Sequence, residues 1–364
     1  MRVGIIGAGL AGALLAWRVR LARPHSQVDL ISGSPPASDA TEVSGGLVRG
    51  FEVDPGNREL ATESLAELHA SELLTTWSGY QEIGSIYACA ERDAGLDAVL
   101  AQMDRRLPGS TRVVAAAELM ASHGWAGLPA TSVAVVERRA GYVSPQGLRR
   151  GVLHDLLRLG VRILPGVVSE VLARSDSVRC IASEGVRDYD TAVVAAGRWT
   201  AGLLAHSGFP ADGYRSKAIQ YGVYCASGLP SGTFIDDTTG LYGRPAPGSR
   251  VLLGLPSDRW DVDCDHPPRD DALQRRAAEL AAVRFPRLRL AAPVQVVAAA
   301  DCYTYPPRLA LRPVPGGAPR LYTFTGGSGG AAKTALAASR IAAGQLIDAL
   351  EVEKPSLGSG SWIR

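Results

Sequence analysis

The sequence predicts an α/β fold, in which a Rossmann-like domain is interrupted by an inserted domain of antiparallel β-sheet plus helices. A strand, a glycine-rich turn, a helix and a second strand follow one another within the first 32 residues, which is the order of a βαβ unit. Two further strands, at 191–197 and 320–325, run into small residues. Between them lies a β-rich region with frequent Gly and Pro, so separated segments are expected to build one parallel sheet around an insertion.

Composition narrows the class of protein. The 364 residues correspond to about two domains at ~150 residues each. The net charge of +2 argues against nucleic acid or an acidic membrane surface as the partner. No apolar run reaches the ~18 residues of a membrane span, and a strand from Arg2 leaves no room for a signal peptide. An odd number of cysteines without CxxC pairs indicates a reducing compartment, so we expect a cytoplasmic protein.

The other elements follow from hydrophobic periodicity. Strands are predicted at 2–6, 28–32, 85–91, 132–137, 160–164, 191–197 and 320–325, with β-rich structure over 215–254. Helices are predicted at 13–21, 58–75, 146–159, 270–283 and from the glycine run at 326–330 to about 350. The predicted domains are therefore 1–80, 140–212 and 315–364 for the dinucleotide domain, and 81–139 with 213–314 for the inserted substrate domain.

The glycine-rich start has the context that a dinucleotide site requires. Gly7 allows a tight turn, Gly9 lets the backbone approach a pyrophosphate, and Gly12 lets the helix pack closely on the strand. The helix N-terminus then offers amide donors to the phosphates. The second strand ends at Ser32 instead of the usual Asp or Glu, and a hydroxyl binds a ribose less strongly than a carboxylate does.

Residues 326–334 resemble two other motifs. A hydrolase elbow GxSxG would make Ser328 a nucleophile, but its histidine should come later in the chain and the last one is His266. A P-loop would need Gly before Lys333, where Ala332 stands. Small residues at a helix N-terminus instead suit the close approach of a flat ring or a phosphate.

Several segments, in order along nearly the whole chain, resemble the D-amino acid oxidase superfamily, in particular its glycine oxidase and monomeric sarcosine oxidase branch. They are residues 7–12, 40–48, 141–145, 190–199, 241–245 and the helix start at 326. The resemblance implies FAD, a two-domain fold and oxidation of an amine beside a carboxylate. A flavin hydroxylase shares the first motif but usually carries a later Gly-Asp pair, which this sequence lacks.

The same resemblance implies an FAD site, with Val168 meeting the adenine side through its backbone. Its residues are Gly7, Gly9, Leu10, Ala11, Gly12, Ser32, Thr41, Ser44, Gly45, Gly46, Leu47, Val168, Ala196, Gly197, Trp199, Cys302, Gly327, Ser328, Gly329, Gly330 and Lys333. Cys302 resembles the cysteine that sarcosine oxidases join to the flavin, although one residue is missing before the Tyr-Thr pair. We therefore expect non-covalent FAD and keep a link at Cys302 open.

Candidate substrate residues also come from the resemblance. Lys333 and Arg49 stand where similar enzymes place cations near the ring or the substrate carboxylate, and Tyr242 stands at a tyrosine of the substrate cavity. Tyr303 and Tyr305 are expected to line the pocket. Arg312 lies in a Leu-Arg-Pro like that of glycine oxidase, but its distance from Gly326 does not fit. The lysine that speeds oxygen reduction in sarcosine oxidases corresponds here to about Leu252.

The predicted function is FAD-dependent oxidation of the C–N bond of a small amino acid or N-substituted glycine. The imine would hydrolyse to an oxo acid such as glyoxylate, and O2 would become H2O2. Alternatives are a larger specialised amine, an acceptor other than oxygen, a flavoprotein without turnover, or an NAD-dependent dehydrogenase. No HxxxH or HExxH spacing occurs, so no metal is expected. The sequence leaves the oligomeric state open.

Overall fold

A computed structural model describes residues 1–33, 39–317 and 319–352. The strands are β1 (Arg2–Ile6), β2 (Gln27–Ser32), β3 (Leu47–Val48), β4 (Gln81–Glu82), β5 (Ser85–Cys89), β6 (Thr111–Ala115), β7 (Val133–Glu137), β8 (Gly141–Tyr142), β9 (Arg162–Pro165), β10 (Val168–Ala173), β11 (Val178–Ala182), β12 (Gly185–Tyr189), β13 (Thr191–Val194), β14 (Arg215–Ser227), β15 (Thr233–Asp236), β16 (Leu241–Ala246), β17 (Arg250–Gly254), β18 (Arg289–Tyr303), β19 (Ala310–Pro313) and β20 (Leu321–Thr325).

The helices are α1 (Leu10–Ala22), α2 (Pro55–His69), α3 (Glu72–Ser78), α4 (Leu96–Asp104), α5 (Ala116–His123), α6 (Pro145–Arg158), α7 (Thr200–His206), α8 (Asp271–Arg284) and α9 (Ala331–Val352). A single 3₁₀ turn, Gly197–Trp199, precedes α7.

A six-stranded sheet in the order β19-β20-β13-β1-β2-β9 forms the Rossmann-like part. All neighbours are parallel except β19, which runs antiparallel to β20. Successive residues face opposite sides, as the period of two requires. Ile5 lies in the core formed with α1, α6 and α9, whereas Ile6 lies in the core formed with β10, β11 and α7. Helices on both faces therefore bury the sheet.

An eight-stranded sheet in the order β18-β14-β17-β16-β15-β5-β7-β6 forms the inserted part. One face packs under α5 and α8, around edge-to-face contacts of Trp125, Phe234 and Phe285. The other face packs against α4 and Phe51. The predicted α/β class, with a parallel sheet and a separate mainly antiparallel sheet, is confirmed.

Some element boundaries differ from the prediction. The single helix predicted at 58–75 is two helices, α2 and α3, because the Ser71 side chain accepts from Leu74 N and starts a new helix. The strand β19 pairs with β20 in the parallel sheet, although the predicted boundary at 314 assigned it to the inserted domain. Residues 353–364 of the predicted dinucleotide domain lie outside the described residues. Within the described part of the chain, no helix is long and apolar enough to cross a membrane.

Candidate active site

The turn between β1 and α1 depends on two of its glycines. Gly7 has φ +113°, and a Cβ there would lie 2.4 Å from Ala195 O. A Cβ on Gly12 would lie 2.0 Å from Gly7 O, so a side chain would force α1 away from the strand. At Gly9 the nearest atom to such a Cβ is Thr41 Oγ1, at 3.5 Å, which leaves the turn open on its outer side. Gly9 offers no side chain to cap α1, and Thr41 Oγ1 accepts only from Leu10 N, at 3.0 Å. A diphosphate fits this open cradle of backbone donors.

A cavity of about 1180 Å³ extends from this turn to the inserted sheet. It exceeds the roughly 300–1,000 Å³ of a pocket for a drug-sized ligand, so it has room for a dinucleotide and a small substrate together. Every residue of the expected FAD site lines it except Gly12 and Cys302. Gly12 is buried behind the turn, where close packing needs it.

The loop before β3 is fixed to both parts of the molecule. Gly46 has φ +69°, and a Cβ there would lie 2.1 Å from Val143 O, while Val143 N donates to Gly46 O at 2.8 Å. From the inserted sheet, Arg244 Nε donates to Gly45 O at 2.6 Å. These contacts hold the loop 44–47 against the cavity, where a flat ring would meet backbone instead of side chains.

Two predicted cations, Arg49 and Lys333, meet at one carboxylate. Glu52 Oε1 lies 2.6 Å from Arg49 Nη2 and 3.0 Å from Lys333 Nζ. Arg49 follows β3 and is 6 % exposed, whereas Lys333 lies in the first turn of α9. Both cations line the cavity, and Glu52 lies behind them. If all three groups are ionised, the cluster carries one net positive charge at the cavity wall.

Burial and charge act in opposite directions on this cluster. Burial lowers the pKa of Lys333, and Glu52 partly offsets that effect. Burial also raises the pKa of Glu52, but Arg49 and Lys333 outweigh it and leave that pKa below its usual range. The Glu52 carboxylate is therefore ionised at neutral pH, and it holds the two cations in place.

Glu137 fixes the segment after Arg49 through two hydrogen bonds to its backbone. This fully buried carboxylate on β7 accepts from Gly50 N at 2.8 Å and from Phe51 N at 2.9 Å. Burial raises the pKa of Glu137 despite these two donors. The inserted sheet thus sets the position of a loop that belongs to the dinucleotide part.

Tyr242 and Tyr303 line the cavity from β16 and β18. Tyr242 Oη donates to Gln220 O at 3.2 Å, and burial raises the pKa of both phenols. Each phenol is therefore neutral and keeps its one proton, which Tyr242 donates to Gln220 O. Tyr221 also lines the cavity, with its hydroxyl donating to Val43 O at 2.8 Å.

The structure does not place three other predicted residues at the cavity. Tyr305 is 95 % exposed. Arg312 donates to backbone carbonyls, among them Thr325 O at 3.0 Å and Arg308 O at 2.6 Å, so it ties β19 to the preceding loop. Cys302 is 2 % exposed, and burial raises the pKa of its thiol to about 12. The expectation that these residues line the site is wrong for this geometry.

Strand phase explains the position of Cys302. Neighbouring residues of a strand face opposite sides, and both Asp301 and Tyr303 line the cavity. Cys302 therefore points away from it. Asp301 is a site residue that the sequence analysis missed, as are Glu52, Tyr221 and Lys217. The available signal for Asp301 was its position two residues before Tyr303, a residue expected at the pocket, since residues two apart in a strand share a face.

Ser328 has a structural part in the glycine-rich turn. Its backbone has φ +50°, and its hydroxyl donates to Gly326 O at 3.0 Å and accepts from Thr304 N at 3.3 Å. No histidine lines the cavity near it; among the described residues His206 is the only lining histidine, and it lies on α7. In the same described ranges no group of His, Cys, Asp and Glu is arranged to hold a metal ion.

The sequence model of one protein family, FAD dependent oxidoreductase, matches residues 2–345. The chain belongs to this family. FAD is accordingly its cofactor, and the open glycine turn and the large cavity fit that group. A search among curated proteins found no match.

Solved structures share the fold at low identity. Glycine oxidase from Geobacillus kaustophilus is 18 % identical, with TM-score 0.74 over 98 % of this chain and 96 % of that chain. L-proline dehydrogenase from P. horikoshii is 14 % identical, with TM-score 0.77 over 95 % and 93 %. NikD, an amino acid oxidase essential for nikkomycin biosynthesis, is 18 % identical, with TM-score 0.72 over 95 % and 93 %. At this identity the likeness concerns the fold.

Proposed function

We propose that this flavoprotein oxidises the C–N bond of an amino acid or N-substituted glycine to an imine. The observation that carries the proposal is the Arg49–Glu52–Lys333 cluster, which presents cations to the same cavity as the glycine cradle. A carboxylate recognised there would hold the adjacent amine carbon at a fixed place in the cavity. The names of the structural neighbours, which include amino acid oxidases and a dehydrogenase, agree with this class.

The chain's own residues would bind and orient the substrate. Arg49 and Lys333 would donate charge-assisted hydrogen bonds to the substrate carboxylate. Tyr242 would donate a further one if its single hydroxyl proton turned from Gln220 O to the substrate. FAD, when bound, supplies the acceptor for the hydride equivalent that leaves the carbon. The amine must enter without its extra proton, because its lone pair forms the C=N bond. Overall, amine and O2 give imine and H2O2, and water then converts the imine to an oxo acid and a free amine.

The acceptor and the attachment of FAD are part of the proposal. Leu252, at the approximate position of the oxygen-activating lysine in sarcosine oxidases, is a buried apolar residue. Oxygen is the acceptor we propose, with a slower reoxidation than in an enzyme that has that lysine. Because the Cys302 thiol is buried away from the cavity, we propose non-covalent FAD.

A larger amine is the second candidate. Apolar and aromatic side chains of the inserted sheet, among them Ile219, Ile235, Leu255 and Tyr221, line the cavity beyond the cation cluster. Such a wall favours a substrate with an apolar substituent over free glycine, because its burial contributes about 25 cal/mol per Å².

The test is turnover of a panel of N-alkylglycines and amino acids by wild type, Lys333→Met and Arg340→Met, followed as H2O2 formation and oxo acid release. Arg340 is a matched control, since it lies on the same helix and pairs with Glu63 and Glu67 outside the cavity. We expect kcat/KM to fall at least ~10-fold in Lys333→Met and to stay near wild type in Arg340→Met. If the protein holds FAD but oxidises no amine of the panel, the proposed function is wrong and the chain is a flavoprotein without turnover.

A further inference from the structure

Lysine is rare in this chain, and its positions are informative. Of the 38 basic residues only three are lysines, Lys217, Lys333 and Lys354. Two of these three line the cavity, together with Arg49, Arg149, Arg150 and Arg198. An ammonium is a compact point charge with three donors, unlike the planar guanidinium. Lys217 is thus one of two ammonium groups at the cavity wall.

Lys217 is held by aromatic rings, and no ion pair neutralises it. Its Nζ lies 4.5 Å from the centroid of the Trp260 ring and 5.4 Å from that of Tyr303. A backbone bridge links Lys217 to Trp260, which fixes the side of the strand on which the ring lies. In the part of the chain that the structure describes, no carboxylate forms an ion pair with Lys217.

The nearest acidic residue along the sheet is committed elsewhere. Asp301 is the cross-strand partner of Lys217 in the β14–β18 register. Its two carboxylate oxygens accept from Cys302 N at 2.8 Å and from Gly329 N at 2.9 Å. The neighbouring cation, Arg215, pairs with Asp261. The ammonium donors of Lys217 are thus left for a ligand in the cavity, because ring faces attract its charge but accept no conventional hydrogen bond.

Lys217 stands on the same wall as the first cation cluster. The Tyr303 hydroxyl lies 3.0 Å from the position of a Cβ on Gly329, and Lys333 Nζ lies 3.5 Å from that of a Cβ on Gly330. Tyr303 therefore stands between the two lysines, next to the glycine turn that starts α9. Lys217 and the Arg49–Lys333 pair are thus two separate cationic positions with a phenol between them, and Arg149, Arg150 and Arg198 also line the cavity.

We propose that Lys217 forms a second anion subsite, so that the substrate carries a second carboxylate on its N-substituent or side chain. This inference rests on the proposed function, and it names the substrate class within it. The first carboxylate would bind at Arg49 and Lys333, and the second would bind the Lys217 ammonium. The apolar wall would contact the carbon chain that joins the two acids.

The test compares ligands that differ only in the second charge. N-carboxymethyl-, N-(2-carboxyethyl)- and N-(3-carboxypropyl)glycine are each paired with the N-alkylglycine of equal length, and the anaerobic reduction of the bound flavin gives an apparent Kd. Thiodiacetate and methylthioacetate, which lack an oxidisable amine, are titrated by the perturbation of the flavin spectrum. A charge-assisted hydrogen bond predicts a preference of about 10-fold or more for at least one dicarboxylate.

The variants are Lys217→Met, Lys217→Arg and, as a control, Arg250→Met, which removes an exposed cation from the neighbouring strand β17 outside the cavity. We expect the preference to fall to about one in Lys217→Met, to persist in part in Lys217→Arg and to be unchanged in Arg250→Met. Absence of a preference in wild type, or its survival in Lys217→Met, would overturn the subsite. Selective binding of thiodiacetate without oxidation of any amine would support the subsite and contradict the proposed function.

Discussion

At the scale of single residues, Glu52 decides how the cation pair behaves. It is the shared partner of Arg49 and Lys333, and its removal leaves two like charges buried side by side. Removing one partner of a buried pair costs roughly 3–5 kcal/mol. We expect Glu52→Gln to lower the free energy of unfolding by this order, as measured by denaturant titration.

Glu52→Gln should also change how much a bound carboxylate raises the melting temperature. A carboxylate ligand would replace the lost negative charge, so methylthioacetate should raise the melting temperature of Glu52→Gln more than that of wild type. An equal ligand shift in both proteins, with no loss of stability in the variant, would show that the cluster does not hold these charges together.

The lowered pKa of Lys333 predicts that carboxylate binding depends on pH. Only the ammonium form attracts a carboxylate, and burial lowers the pKa of Lys333 below the usual lysine value. The affinity for methylthioacetate should therefore be full below that lowered pKa and weaken as the pH rises through it, at a lower pH than an ordinary lysine would give. Lys333→Arg, which keeps its charge, should remove the weakening. A flat profile in wild type would contradict the assignment of Lys333 to the carboxylate.

The sequence could predict Arg49 and Lys333, since each adjoins a glycine-rich segment of a known family. Glu52 could not be found in this way, because an acid three residues after an arginine in a loop looks the same as a solvent-exposed one. Cys302 shows a different limit. A shift of one residue in strand phase moves a side chain to the other face of the sheet. Relative to the sarcosine oxidases, one residue is missing before the Tyr-Thr pair, and Cys302 faces away from the cavity.

At the scale of elements, the packing of α1 on β1 depends on Gly12. A methyl group there would meet Gly7 O at 2.0 Å, so Gly12→Ala must shift the helix and distort the phosphate cradle. We expect at least ~10-fold weaker FAD binding, from a misplacement that costs 1.4 kcal/mol or more. FAD fluorescence on titration of the apoprotein measures this.

Gly344→Ala is the matched control, because Gly344 lies in α9 and a Cβ there meets nothing within 4 Å. It should stabilise the protein by about 0.5–1 kcal/mol, since alanine favours the helix, and it should leave FAD affinity intact. Equal FAD affinity in Gly12→Ala and wild type would contradict the cradle.

Helices with a long regular hydrophobic period were predicted well, whereas a break within such a pattern and a strand without alternation were not. The helices α6 and α8 begin and end within one residue of their predictions. The break between α2 and α3 was missed, because Ser71 caps a new helix within a continuous amphipathic pattern. The edge strand β18 was not predicted, since its exposed residues near Ala291 and Val294 show no regular alternation.

At the scale of the whole molecule, the cavity proposed for FAD lies at the junction of the two sheets. The cavity is lined by residues of β1, β2, β14, β16 and the N-terminus of α9, so a bound ligand links both parts. Ligand binding stabilises the folded state by RT ln(1 + [L]/Kd), or about 2.7 kcal/mol at 100-fold excess over Kd. Removal of FAD should therefore lower the melting temperature, and added FAD should restore it.

Melting of the apoprotein and the holoprotein in a calorimeter checks this expectation. Separate transitions in the apoprotein that merge when FAD is added would show that the cofactor couples the two sheets. An identical melting curve with and without FAD would show that the cofactor does not bind across the junction. The discontinuous layout itself was predictable, because strands ending in small residues recur far apart in the sequence.

The most direct test of the central claim is the visible spectrum of the purified protein during anaerobic addition of glycine, sarcosine and longer N-alkylglycines. We expect a yellow protein whose flavin absorption bleaches with at least one of these amines, and whose colour leaves the pellet after acid precipitation. A protein that holds FAD and is bleached by dithionite, but by none of these amines and by none of the N-carboxyalkylglycines, would contradict the proposed amine oxidation.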